Sequence, residues 1–131
     1  MKTTSRGFTI IELLFIIVLL AAASVLFFVQ KNNLEIAGRD ETRKTTINAM
    51  YYSVEEVYFK ANGFYPRSID EATLPSVDPT LFKDPQGIKI GESTSDYRYE
   101  AYNCTDNQCK NYSLRTTLEN EDDYVKKNRS N

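Results

Sequence analysis

The 22 residues from Phe8 to Val29 hold a single charge, Glu12, and neither proline nor glycine. As a helix such a run extends about 33 Å, close to the hydrocarbon thickness of a bilayer. Water offers no stable place to an apolar helix of that length unless a protein core or other helices cover it. Lys2 and Arg6 precede the run, and positive charge on that side places the N-terminus in the cytoplasm and the rest of the chain outside. A secretory signal peptide has a shorter apolar core and a small-residue cleavage site. Ala21-Ala22-Ala23-Ser24 imitates such a site, but apolar residues continue to Val29. An ordinary signal anchor accounts for the length and the flanking charge. It does not account for a carboxylate one helical turn into the run, where an ionisable group is costly and needs a partner.

The stretch Lys2…Arg6-Gly7-Phe8-Thr9-Ile10-Ile11-Glu12-Leu13-Leu14 resembles the class III signal of type IV pilins and type II secretion pseudopilins. The resemblance implies that a membrane-embedded prepilin peptidase cuts between Gly7 and Phe8 and methylates the new terminus on Phe8. It also implies that Glu12, fifth in the processed chain, serves filament assembly on an inner-membrane platform. The implied product is a homopolymer held together through its N-terminal helices. Many pilins carry a helix breaker well along this segment; here the first glycine after the leader is Gly38.

Composition narrows what the rest can do. The 131 residues leave room for one small domain beside the apolar segment, and the formal charge of −2 gives no global attraction to nucleic acid. There is no histidine, so Ser-His-Asp and Cys-His arrangements cannot be built, and no Gly-rich phosphate loop occurs. The reading is therefore not of an enzyme, and no cofactor is implied. Cys104 and Cys109 are the only cysteines, too few for a structural zinc site. Outside the cytoplasm they can form a disulfide that closes a small loop, contributing about 2 kcal/mol. Asp78, Asp84, Glu92, Asp96 and Asp106 are oxygen donors for Ca²⁺, but no twelve-residue calcium loop surrounds them. Lys126, Lys127 and Arg129 offer a contact to DNA or a surface, although Glu121, Asp122 and Asp123 precede them. Asn103, Asn111 and Asn128 each open an Asn-x-Ser/Thr triplet, a pattern common by chance.

Taken in order, residues 1–7 read as a cleaved leader and 8–30 as the membrane and assembly half of a long helix. Residues 31–61 read as its solvent-exposed amphipathic half, with Glu35–Arg39 and Asp40–Lys44 as i,i+4 ion pairs. Gly38 and Thr45-Thr46 are alternative break points. Ile47, Met50, Tyr51, Val54, Val57, Tyr58 and Ala61 recur on one helical face and predict packing against a sheet. Asn62-Gly63 stops the helix, and Gly63-Phe64-Tyr65-Pro66 leads into a head over 62–118. A turn over 69–74, a turn at Asp84-Pro85-Gln86-Gly87 and a strand at 88–90 follow. The Asp-Pro-x-Gly element also resembles that of major pseudopilins. Placing Cys104 opposite Cys109 sets a hairpin in which Ala101 faces Tyr112, Tyr99 faces Leu114 and Tyr97 faces Thr116. Residues 119–131 read as a flexible polar tail.

The expected fold is α+β: a long N-terminal helix, membrane-embedded first and amphipathic later, packed on a small antiparallel sheet. The expected function is that of a pilin-like subunit, held in the bacterial cytoplasmic membrane before assembly and in an extracellular pilus or periplasmic pseudopilus afterwards. Adhesion, motility, DNA uptake and secretion all remain open uses, and a non-polymerising single-pass binding protein is the rival. Processing is directly measurable. Purified membrane protein is expected to begin at Phe8 with a methylated amine, and Gly7→Leu is expected to retain residues 1–7. A chain beginning at Ala23 or Ser24 would instead mark an ordinary signal peptidase site.

Overall fold

The computed structural model describes residues 7–129; Lys2 and Arg6 of the leader and Ser130 of the last Asn-x-Ser triplet lie outside them. The fold is α+β, as the sequence predicts. Helix α1, Ile10–Tyr52, runs without a break into a seven-residue π-helical stretch, Ser53–Phe59, and then into α2, Lys60–Asn62. Neither Gly38 nor Thr45-Thr46 interrupts it. Gly63 ends it in the left-handed region, φ 77°, with its N–H donating to the Phe59 carbonyl at 2.7 Å. The chain divides into two compact units, Met1–Glu35 and Ile36–Asn131.

In the Ile36–Asn131 unit, Ile47, Met50 and Val54 of the helix pack with Tyr97, Tyr112 and Leu114 of the sheet, all essentially inaccessible to solvent. Ile69, Leu74, Val77, Phe82 and Ile90 close the core from the intervening loops. Three aspartates organise those loops. Asp70 accepts from the N–H groups of Ala72 and Thr73, and Asp78 from that of Thr80, opening the single 3₁₀ turn Pro79–Phe82. Asp84, buried, accepts from the N–H groups of Gln86, Ile88 and Asp96, and Gly87 takes φ 86°. The Asp84-Pro85-Gln86-Gly87 turn thus forms where its chemistry predicts.

The sheet centres on β3, Gln108–Thr116. Strand β2, Tyr97–Thr105, runs antiparallel to it in the expected register: Tyr97 opposite Thr116, Tyr99 opposite Leu114, Ala101 opposite Tyr112, and the disulfide-bonded Cys104 opposite Cys109. Thr105 and Gln108 also pair, so the connection is the two-residue turn Asp106-Asn107. Strict alternation would set the cysteines on the face opposite Ala101 and Tyr112. Asn103, at φ 54°, interrupts it, and Cys109 enters the core beside Tyr112. The like-charged pair Arg98–Arg115 is present, with Arg115 flanked by Glu100 at 3.6 Å and Asp123 at 3.7 Å.

Four expectations change. Residues 88–90 form no strand; Lys89 makes only an isolated bridge to Lys83, and the further strands are β1, Tyr65–Pro66, and β4, Tyr124–Lys127, both antiparallel to β3. Of the stretch 119–131, expected as a flexible tail, residues 124–127 are therefore held in β4, and 130–131 lie outside the described residues. Lys44 reaches Glu121 at 2.7 Å rather than pairing with Asp40. Val57 is 43% exposed, whereas Ser53, Val54 and Glu55 are all buried. The π-helical stretch explains this last difference, because i→i+5 bonding turns the helix out of its 3.6-residue phase. Phe59 then replaces Val57 against the core, its ring stacked on Tyr65 at 4.6 Å.

Replacing Cys104 and Cys109 with Ser should lower the stability of the full-length protein by about 2 kcal/mol. Urea unfolding of detergent-solubilised protein measures it. An unchanged midpoint would show that strand pairing alone fixes the hairpin.

Candidate functional site

The residues that the sequence singles out for processing and assembly lie at the start of α1. Gly7, Phe8 and Thr9 precede the helix, whose first residue is Ile10, two later than the apolar run predicts. Thr9 supplies the reason. Its Oγ1 accepts from the backbone N–H of Glu12 at 3.2 Å, and its carbonyl from Leu13 at 3.0 Å. Thr9 is therefore the N-cap and Glu12 the third helical residue, the spacing of a capping box. That signal, Thr-x-x-Glu before an apolar run, was legible in the sequence beside the assembly motif. A carboxylate in the first turn also lies in the favourable field of the helix N-terminus.

Every residue from 7 to 35 is exposed, Phe8 by 71% and Ile10 and Ile11 by 79% each. The apolar run is thus left uncovered among the described residues. Among the described residues, this is the one helix long and apolar enough to cross a membrane, and unlike a soluble core helix none of its apolar window is buried. Glu12 has no ion pair among the described residues. The next cation along the helix, Lys31, is about 28 Å away by helical rise and pairs with Glu35 at 3.7 Å.

Buried charge gathers elsewhere. Arg43, 1% exposed, donates to Asp40 at 3.0 Å, Asp96 at 2.9 Å and Glu119 at 2.8 Å. Asp40 in turn accepts from the backbone N–H groups of Glu119 and Asn120, and Arg39 forks onto both Glu119 oxygens at 2.7 Å. Burial alone would push the Asp40 carboxyl up, but those N–H donors and Arg43 hold it below its usual range. Burial likewise opposes the charge on Arg43, which Glu119 and Asp96 sustain. Glu119 is held at about 2 by Arg39 first and Arg43 second. A second buried carboxylate, Glu55, accepts from Tyr112 Oη at 2.9 Å, Tyr65 Oη at 3.2 Å and the Arg129 N–H at 3.2 Å. Burial and then Glu55 push Tyr65 up to about 12.

These networks occupy most of the other candidates. Asp84 and Asp96 spend their oxygens on backbone N–H groups and on Arg43, and no group of three or more acidic, His or Cys side chains is arranged for a metal among the described residues. Lys126 sits 5.4 Å from the ring centroids of Tyr51 and Tyr124, and Arg129 pairs with Glu56. Among the described residues, Lys127 alone of that trio has no ion pair or ring contact. Asn103 donates to Asn111 at 2.8 Å. Cys104 and Cys109 are joined, as read; a cleft of about 350 Å³ beside them is walled by Phe59, Phe64, Cys109 and Lys110.

Removing Arg43 strands Asp40 and Asp96 without their cation, so Arg43→Ala should destabilise the full-length protein by about 3–5 kcal/mol. A loss under about 1 kcal/mol would show that the backbone donors suffice. The same network sets an acid limit. Because the folded value of Glu119, about 2, lies below its ordinary 4.5, its stabilisation is present above about pH 4.5 and disappears as pH falls toward 2. Thermal unfolding followed across that range should show the fall in the unaltered protein and a flatter profile in Arg43→Ala.

Comparison with family models, with curated proteins and with solved structures finds no match. The functional reading therefore rests on the residues and geometry of this chain.

Proposed function

We propose that the protein is a structural, pilin-like subunit of a type IV pilus or related filament, held by its single apolar helix in the bacterial cytoplasmic membrane before polymerisation. The observation that carries the reading is the conjunction at the start of α1. A Gly7-Phe8 junction with basic residues before it stands immediately ahead of an apolar run, exposed along its length, whose only charge, Glu12, has no ion pair among the described residues.

Burying an isolated carboxylate in lipid or among apolar helices is costly. Cleavage after Gly7 supplies a cation at the Phe8 amine, in the same chain or in a neighbour. Such a pair contributes little net stability, because desolvation offsets attraction. It does favour one axial register of an incoming subunit, since any other leaves both charges stranded. Uncovered apolar side chains on the same helices then supply the packing surface. The proposed partners are accordingly further copies of the chain, the prepilin peptidase and an inner-membrane assembly platform.

The Asp84-Pro85-Gln86-Gly87 turn supports a second use within the same class, a type II secretion pseudopilus in the periplasm. A non-polymerising membrane-anchored binding protein accounts for the helix but gives Glu12 no role.

Glu12→Val is the discriminating substitution. It should still insert and still be cut after Gly7, yet enter sheared filaments poorly. Glu12→Asp, one methylene shorter, should be intermediate. Entry of Glu12→Val at the unaltered level would remove Glu12 from assembly and favour the anchored binding protein.

A further inference from the structure

None of residues 119–129 is buried. Val125 is 43% exposed, and Tyr124 packs only partly against the core. This strap is tied to the rest of its unit at two ends, and at both ends the ties use carboxylates. At the first, Asp40 accepts from the N–H groups of Glu119 and Asn120, the Glu119 carboxylate lies against Arg39 and Arg43, and Glu121 pairs with Lys44 at 2.7 Å. At the second, the Arg129 N–H donates to Glu55 at 3.2 Å, and its guanidinium pairs with Glu56, which Lys60 shares. Asp123 adds a looser pair to Arg115 at 3.7 Å. Between the ends, β4 lies along residues 113–116 of β3, Asn128 donates to the Tyr112 carbonyl at 3.3 Å, and Tyr124 donates to Asn48 at 3.0 Å. The β2–β3 hairpin beside it is held differently. Its strands pair along their length and are bridged by the disulfide, and Tyr97, Tyr112 and Leu114 are sealed in the core. The ion pair between these two strands, Glu100 with Arg115 at 3.6 Å, lies on the surface.

We propose that residues 119–129 form an acid-released strap, which lifts from the helix and from β3 while the helix and the β2–β3 hairpin stay folded, and so opens the β3 edge from Tyr112 to Thr116. Its ties run through Asp40, Glu55, Glu56, Glu119, Glu121 and Asp123, and a protonated carboxyl loses the attraction to its cation. The direction of the effect is fixed by the groups facing them. Glu119 is held at about 2 by Arg39 and then Arg43, and Glu56 is held below its usual range by Lys60 and then Arg129. Stabilisation of this kind is whole above about pH 4.5 and is lost as pH falls toward 2. The facing cations Arg39, Arg43, Lys44, Lys60, Arg115 and Arg129 keep their charge through that window, and Arg39 and Arg43, one turn apart, repel once the acids are neutral. Asp96 also faces Arg43 and Glu41 lies near Lys44, so both sites lose acid partners together. The Tyr65 and Tyr112 hydroxyls that face Glu55 do not ionise in acid. Asp70, Asp78 and Asp84 accept from backbone N–H groups within 70–96, outside both strap and hairpin. Release of one segment while the rest holds is a sub-global opening. It matters because an unpaired strand edge is a template for another strand, so the edge is covered at neutral pH and offered in acid. The inference concerns the Ile36–Asn131 unit alone and does not rest on the filament reading.

Hydrogen exchange of the full-length protein in detergent, labelled from about pH 7 down to about pH 3 and read as peptides, tests it across the window in which those carboxylates titrate. After correction for the intrinsic exchange rate, the peptide covering 122–129 should exchange several-fold faster at the acid end, while the β2 peptide, 97–105, keeps its protection. Glu56→Gln combined with Glu119→Gln neutralises one carboxylate at each end of the strap. That variant should show the faster strap exchange already at neutral pH, with a flatter pH profile and an unchanged β2 peptide. A strap still protected at the acid end would overturn the proposal, as would loss of protection in strap and β2 together, in either protein. A double variant that exchanges like the unaltered protein at neutral pH would also overturn it, because the carboxylates would then not be what holds the strap.

Discussion

An apolar helical surface that its own chain leaves bare is the constraint on which everything else depends. From Ile10 to Val29 the helix presents isoleucine, leucine, valine and phenylalanine to its surroundings, most of them more than half exposed. Burying such a side chain is worth about 1.5–3 kcal/mol, so a run of them left in water would drive aggregation. In the proposed function, lipid covers the run before assembly and neighbouring copies cover it afterwards. Within lipid, helices gain little by leaving one apolar environment for another. Glu12 changes that balance, because its carboxylate is the one group in the run that is better served beside a cation than among acyl chains.

The globular unit solves a different problem with the same helix. Its helical face is too polar for a purely apolar core: Asp40, Arg43, Ser53 and Glu55 are all buried beside Ile47, Met50 and Val54. Each charge is made tolerable by several hydrogen bonds, and those bonds tie together parts distant in sequence. Arg43 joins the helix to Asp96 before β2 and to Glu119 after β3, while Glu55 joins it to Tyr65 of β1, Tyr112 of β3 and the backbone at Arg129. The polar C-terminal stretch is ordered by these pairs rather than by apolar burial. Desolvation makes such networks modest as sources of stability but demanding as to geometry.

How much of this was legible follows from the range of each interaction. The hairpin register could be read because the disulfide and the tyrosine alternation imposed the same pairing from one stretch of chain. The helix and its stop at Gly63 were legible from local periodicity. The C-terminal strand was not, since Glu119 and Glu121 find Arg39, Arg43 and Lys44 across some eighty residues, and a run of acids looks solvated when its partners are unknown. The π-helical stretch is hidden for a similar reason: the hydroxyls that converge on Glu55 come from Tyr65 and Tyr112, 10 and 57 residues away. At the start of α1 the Thr9-x-x-Glu12 spacing of the cap lies within the same residues as the proposed processing and assembly motif.

The central claim is that this chain polymerises as a processed subunit, and mass spectrometry of filaments sheared from cells tests it most directly. The filament fraction should contain this chain as residues 8–131, with a methylated Phe8 amine and Cys104 joined to Cys109. Recovery of the chain only from membranes, or with residues 1–7 still attached in every copy, would contradict it.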